Sequence, residues 1–350
     1  MILVVGISNY YGGGKVILNA FIDSQTPNLI LAPKEMKESK HDNLLFLPNL
    51  FYRKEFLFFV YGLIIPLILR YRKVDAILNL GDIPVRTYKK QFMLFDWPYA
   101  AYPQNVRWKD MALKDYVVRK IKMILFKRWY KYVEVFGFQH RAIAKTMESR
   151  FKISKFYIWP NGINLMHEVK PLKYSNELNI LILSKPYPHK RLSDIIKLLR
   201  NVQHRINITL TFNPDDNTET VRFHTLAQSI GNDLVTFDYM GDVPVAEIPN
   251  LYENHHCLIL PSELESFSGL MVESCYYKRP ILCCDEEFNT EVAGSNAYFY
   301  PTGNINIMKE RFDKMFTDIK ENNIVYIPNK TYTKNWQEIS TKILSDIRND

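Results

Sequence analysis

The segment Leu260 to Asp285, LPSELESFSGLMVESCYYKRPILCCD, concentrates the residues best suited to chemistry. Two carboxylates, Glu265 and Glu273, stand with seven residues between them. Ser266, Phe267, Ser268 and Gly269 form a small, turn-prone stretch just before an apolar helical pattern. A helix starting at Ser268 or Gly269 would aim the free N–H groups around Gly269 and Leu270 at whatever occupies the loop. Such an end binds phosphate through unpaired donors and the helix dipole. Glu265 would lie before the helix and Glu273 about one turn inside, facing the same cleft, while Gly269 lets a ligand approach the backbone. Two isolated glutamates near a helix start would be ordinary solvated residues. Their co-occurrence, in order, with Pro261-Ser262, Arg279-Pro280 and a following apolar run marks them out.

A second group, Ser184-Lys185-Pro186-Tyr187-Pro188-His189-Lys190, follows the apolar run NILILS. Lys185 and Lys190 could neutralise phosphate there, although neither offers the bidentate geometry of arginine. The first half contributes Gly12, Gly13, Gly14 and Lys15 after the run MILVVG. This is neither G-x-G-x-x-G nor the G-x-x-x-x-G-K-(S/T) of a P-loop, since Gly6 to Gly12 is six residues and position 16 is Val16, so an ATPase reading fails. Asp96, in Phe95-Asp96-Trp97-Pro98-Tyr99, follows another apolar run, at the sheet's carboxyl edge where α/β ligands sit; Asp82 after Gly81 is an alternative. No D-x-D triplet or CxxC pair occurs, and no metal or cofactor is expected. Cys257, Cys275, Cys283 and Cys284 read as reduced, buried thiols.

Glu265 and Glu273, Phe267 and Arg279-Pro280 resemble the segment PS-x-x-E-x-F-G-x-x-x-x-E-A-x-A-x-G-x-P-V of the retaining glycosyltransferases of family four. The chain departs from that pattern at Ser268, Ser274 and Lys278-Arg279. Lys190 matches the family's phosphate-binding lysine in G-R-x-x-x-x-K, with Lys185 where arginine is usual. Trp159-Pro160-Asn161-Gly162-Ile163-Asn164 is similar to the family's PNGV-(D/N), and Gly241-Asp242-Val243 to its G-x-V. The resemblance is specific from Tyr157 to about Pro301. It implies an α/β chain with the GT-B fold, two Rossmann-like domains with a cleft between them. The implied activity is retaining, metal-independent transfer of a sugar from a UDP- or GDP-sugar. The acceptor would be a glycan, lipid-linked as in O-antigen or capsule synthesis. On this resemblance Glu265, Asp96 and Lys190 are catalytic. Lys185, Lys190, Glu265, Phe267, Ser268, Gly269, Leu270, Glu273, Gly13 and Gly14 bind the donor. Asp96 falls where many relatives carry a histidine. A sugar-nucleotide epimerase or phosphorylase of the same fold, or a non-catalytic sugar-nucleotide-binding subunit, stays open as an alternative.

The elements that must position these residues read as short apolar strands alternating with helices, which argues for parallel sheets. In the first half, strands fall at 1–6, 28–32, 76–80, 91–95 and 142–144. A loop covers 7–15, and helical patterns begin near Val16 and run from Trp108 to about Phe136. The second series starts at Asn179 and includes strands at 257–260 and 281–284 and helices at 192–202 and 269–277. The expected domains are 1–168, carrying the acceptor side, and 169–330, carrying the donor, with 165–177 as linker. Residues 331–350 form a final helix expected to pack back on the first domain.

Length and charge agree with this. The 350 residues suit about two domains, and 47% apolar with 23% charged residues excludes disorder. The net charge of +8 suits an anionic partner. Residues Arg107 to Lys131 carry nine basic and two acidic residues, a local +7, interleaved with apolar and aromatic side chains. Such a helix suits an anionic membrane surface, which gives the 14% aromatic content a cause. The 14-residue apolar run Phe56–Leu69 is too short to span a bilayer but can dip into its interface. The expected location is therefore cytoplasmic, peripheral on the inner face of the membrane. No zinc spacing or RNP-like motif accompanies the charge, so nucleic acid is not an expected partner.

Overall fold

Runs of four to six apolar residues, bounded by polar loops, fold as strands covered on both faces. The computed structural model describes residues 1–10, 12–24, 28–39, 41–163 and 169–350. Asn164 and the start of the expected linker lie outside the described residues. The described chain forms two units: Met1–Pro103, Met111–Gly162 and Lys334–Asp350 make the first, and Gln104–Asp110 with Ile163–Thr333 the second.

The first unit is built on β1 (Ile2–Val5), β2 (Asn28–Leu31), β3 (Leu44–Leu45), β4 (Ala76–Asn79), β5 (Lys90–Leu94), β6 (Val135–Phe138) and β7 (Phe156–Ile158). All pairs are parallel, in the order β3-β2-β1-β4-β5-β6-β7. Its helices are α1 (Gly12–Ile22), α2 (Leu57–Phe59), α3 (Ile65–Tyr71), α4 (Pro98–Ala101), α5 (Leu113–Trp129) and α6 (Arg141–Phe151). Alternate strand residues serve opposite faces: Ile2 and Val4 join α1, whereas Leu3 and Val5 join α3 and the end of α5. Between α2 and α3 the helix widens into a π turn, Val60–Ile64. Pro66 follows it, and its missing N–H cannot continue the ordinary ladder.

Three expectations are corrected here. The helix after β1 begins at Gly12, not near Val16, so Gly12, Gly13 and Gly14 form its first turn rather than a loop. The apolar triplet Ala142–Ala144, read as a strand, is the buried face of α6. His140 caps that helix, its Nδ1 accepting from the Ile143 N–H at 3.3 Å, and the strand lies earlier, at β6. The basic helix is also shorter than expected. Residues 104–110 belong to the second unit, and α5 spans Leu113–Trp129 with six basic and one acidic residue, a net +5.

The second unit contains β8 (Glu177–Ile182), β9 (Arg205–Leu210), β10 (Val235–Tyr239), β11 (Cys257–Leu260), β12 (Ile281–Cys284) and β13 (Ala297–Tyr300). The order is β10-β9-β8-β11-β12-β13, again parallel. Its helices are α7 (Ser193–Leu199), α8 (Thr218–Gln228), α9 (Ile248–Asn254), α10 (Gly269–Tyr276), α11 (Glu287–Thr290) and α12 (Ile305–Glu321). The four cysteines are free and buried in this unit. Between α10 and β12 the chain buries Arg279, only 1% exposed. Its Nε donates to the Tyr252 carbonyl at 2.5 Å and Nη1 to Lys278 at 2.9 Å. Nη2 reaches Lys170 at 2.9 Å and Glu253 at 3.3 Å. Desolvation lowers its pKa to about 10.

The last helix, α13 (Trp336–Asn349), returns to the first unit and packs on α1. Its Trp336, Ile339, Ile343, Leu344 and Ile347 enter the cluster built on Ile2, Val4 and Phe21. Asn335 and Glu338 form its capping box. Two glycines permit this packing. A Cβ on Gly162 would lie 2.4 Å from the Trp336 backbone, and one on Gly137 1.9 Å from the buried Trp159 ring. The Trp159 indole donates to Asp346 of α13 at 2.8 Å.

Candidate active site

In each unit the strand order reverses beside the first strand, between β1 and β4 and between β8 and β11. Loops leaving the carboxyl ends of those strands turn to opposite faces of the sheet and open a crevice, where doubly wound sheets hold ligands. In the second unit these loops carry Lys190, after β8, and Glu265, after β11. Lys190 closes a single 3-10 turn, Pro188–Lys190, its N–H bonding the Tyr187 carbonyl at 2.9 Å. The Lys190 ammonium donates to Glu265 Oε1, and both side chains are largely buried, 14% and 13% exposed.

Helix α10 begins immediately after, at Gly269. Ser268 is its N-cap but makes no side-chain capping bond, so no side chain of that residue competes for the first-turn N–H groups. A Cβ on Gly269 would lie 3.6 Å from Glu273 Oε1, so the Glu273 carboxyl folds back beside the amino end of its own helix. The Tyr252 hydroxyl donates to Glu273 Oε2 at 2.9 Å. Desolvation raises the Glu273 pKa above the ordinary carboxylate range, and the tyrosine bond opposes it in part. The Phe267 ring is buried in the core around Met271, 5.8 Å from Tyr332, so it fixes the loop's backbone beneath Ser268–Leu270.

Glu273 supplies a prediction. A carboxyl whose pKa is raised in the folded state costs stability above that raised value, and the cost disappears as pH falls through it. Glu273→Gln should therefore melt at or above the parent temperature at pH 8, with the difference shrinking toward pH 5. Calorimetry across that range checks it. A Gln variant less stable than the parent at pH 8 would contradict this account.

The remaining expected residues stand apart from this cluster. Lys185 is exposed and pairs with Asp242, in the loop after β10 where Gly241 takes φ 71°. In the first unit, Gly13 and Gly14 open α1 at the carboxyl end of β1. A Cβ on Gly14 would lie 3.1 Å from Asn9 Nδ2. Asp96 follows β5, between it and α4, and is partly exposed. Asp82, the alternative, pairs with Lys122 of α5 at 2.5 Å. Among the described residues no group of three or more His, Cys, Asp or Glu side chains is placed to hold a metal ion.

Residues 167–329 match the sequence profile described as "Glycosyl transferases group 1". The chain is similar to solved structures of sugar-handling enzymes over its whole length. With sucrose-phosphate synthase from Thermosynechococcus elongatus it shares 12% identity at a TM-score of 0.75, covering 99% of this chain and 98% of that one. The chain has the GT-B fold, and its residues 167–329 are related to the group 1 glycosyl transferases. HepE from Anabaena, in complex with UDP and glucose, matches the chain at 13% identity and a TM-score of 0.67, over 99% of each chain. The lipopolysaccharide outer core galactosyltransferase WaaB, in its apo form, matches it at 14% identity and 0.65, over 99% of this chain and 100% of that one. No curated protein sequence matches.

Several polar residues around the candidate site escape sequence reasoning. Tyr252 reaches Glu273 from α9, 21 residues away. Glu263, two residues before Glu265, is 8% exposed and is held by Arg107 and Arg191. The one local signal was an arginine directly after Lys190 and a second glutamate in the same loop.

Proposed function

We propose that the chain is a glycosyltransferase that takes a UDP- or GDP-sugar and transfers the sugar with retention to a lipid-linked glycan of the cell surface. The observation that carries the donor reading is the largely buried Lys190–Glu265 pair at the switch point of the second unit, beside the amino end of α10. A diphosphate would recruit the Lys190 ammonium and the backbone donors of Gly269 and Leu270, which stabilise charge developing on the leaving nucleotide. Glu265, released from Lys190, would hold sugar hydroxyls and face positive charge at the anomeric carbon. Glu273 would take ribose hydroxyls, and Lys185 would add charge at the rim. In the first unit Gly13 and Gly14 would admit the donor phosphates to the backbone, and Asp96 would accept from a sugar hydroxyl. The UDP in the HepE structure favours a uridine donor.

A thermal-shift panel with UDP, GDP, ADP and CMP tests this. At a hundredfold excess over Kd a true ligand adds about 2.7 kcal/mol, several degrees for units of this size. One diphosphate nucleotide is expected to stand out. No shift with any of the four would sink the reading.

The acceptor reading rests on the first unit's surface. On α5, Leu113, Val117, Ile121 and Ile124 form one exposed stripe, and Phe59, Leu63, Leu67 and Tyr71 form another along 57–71. The Phe58 and Trp129 rings, 5.5 Å apart, join the two elements. Lys114, Lys127 and Arg128 are exposed around them, whereas Lys122 is engaged by Asp82. Among the described residues no helix is long and apolar enough to cross a membrane. At ~1 kcal/mol per basic residue near an anionic surface, replacing Lys114, Lys127 and Arg128 with serine should weaken binding to phosphatidylglycerol-containing vesicles about a hundredfold. Co-sedimentation measures it, and unchanged binding would remove the membrane from the reading.

A further inference from the structure

The loop carrying Lys190 and the loop carrying Glu265 are tied together from behind by an ion network centred on Glu263. The Glu263 N–H donates to the His189 carbonyl at 3.0 Å, one residue before Lys190. Its carboxylate accepts from Arg191 Nη1 at 2.7 Å, one residue after Lys190. Arg191 sits in the left-handed region, φ 48°, where glycine would be unstrained and an arginine is strained. Its Nε is held by Asp194 at 2.7 Å, and Asp194 in turn by Lys197 at 2.8 Å. On the other side Arg107 pairs with Glu263 through Nε, with Nη2 at 3.4 Å, and Asn105 Nδ2 donates to the Glu263 carbonyl at 2.9 Å. Three cations, Arg107, Arg191 and Lys197, thus meet the carboxylates of Glu263, Asp194 and, at 3.7 Å from Arg107, Asp110. The network's inner members, Glu263, Asp194 and Arg191, are largely buried, and such pairs are costly to break on one side.

We infer that Glu263 is a positioning residue, which with Arg191 and the 104–110 segment holds Lys190 and Glu265 at a fixed separation. The geometry gives it no direct part in chemistry, since both its carboxylate oxygens are occupied by arginines. The strained Arg191 backbone fits this role, because the conformation persists only where surroundings fix it. The consequence for donor binding rests on the reading given above; the tie between the loops does not.

The test therefore has two arms. In ligand-free Glu263→Gln, amide exchange in 186–192 and 261–268 should rise about tenfold, while β9, β10 and α12 stay at the parent rate. Arg191→Gly, which relieves the backbone strain but removes the ion pair, should loosen the same two segments. The second arm measures nucleoside diphosphate affinity. Glu263→Gln should weaken it about tenfold in the parent and leave it unchanged in a Lys190→Ala background, because the residue acts through Lys190. A merely structural residue would give additive losses. Unchanged exchange in both loops, or additive losses in affinity, overturns the inference. Loosened loops in a protein that binds no nucleotide uphold the positioning role and discard the donor reading instead.

Discussion

Lys190→Ala is expected to lower kcat/KM for the nucleotide sugar by about 10²–10³-fold, the range seen when one preorganised donor to developing charge is removed, about 3–4 kcal/mol. The loss should fall mainly on kcat, because charge on the leaving diphosphate grows toward the transition state and the ammonium meets it there. The ion pair sharpens the expectation. With Lys190 gone, Glu265 keeps a largely buried carboxylate without its cation, so the variant loses the donor contact and gains a misplaced negative charge near the phosphates. Lys190→Arg keeps the charge but fills more of the site, and should recover part of the rate. Initial rates with the donor identified by thermal shift, together with stability of each variant, decide the matter. Full turnover by Lys190→Ala would refute the assignment.

Arg279→Ala should cost about 3–5 kcal/mol of stability in the second unit, the range for leaving buried polar partners unmatched. Arg279 ties together carbonyls from Tyr252 and Glu253 at the end of α9, Lys278 before β12 and Lys170 near the start of the unit. Among the described residues it has no salt bridge, so its charge is balanced by oriented carbonyl dipoles. Alanine leaves those acceptors buried and opens a cavity. Lysine restores charge but cannot fan donors to four directions, and should recover less than half. Denaturant unfolding measures this. A loss below 1 kcal/mol would mean that water replaces the guanidinium.

The two predictions differ in how far the sequence disclosed them. Lys190 and Glu265 were legible because each follows a continuous apolar strand, and strands such as Cys257–Leu260 and Ile281–Cys284 are buried on both faces and so carry no ambiguity of period. Arg279 was visible only as the residue before a proline, since its role depends on carbonyls up to 109 positions away. Glu263 was passed over for the same reason: Arg107 lies 156 positions from it. The helix α6 was misread because Ala142-Ile143-Ala144 is apolar in three consecutive positions, a pattern shared by a short strand and a buried helix face; the His140 cap decides between them. The two-residue β3 carries too few residues to show a period at all.

The return of α13 to the first unit bears on how the chain folds during synthesis. Residues 336–347 supply one wall of the core around β1 and α1, so that core stays open on one side until this segment, which follows the entire second unit, has left the ribosome. The second unit is complete by Thr333. Order of translation and order of completion are thus reversed: the first unit begun is the last that can close. Until then its apolar α1 face is exposed, the interval in which a chaperone would have most to shield.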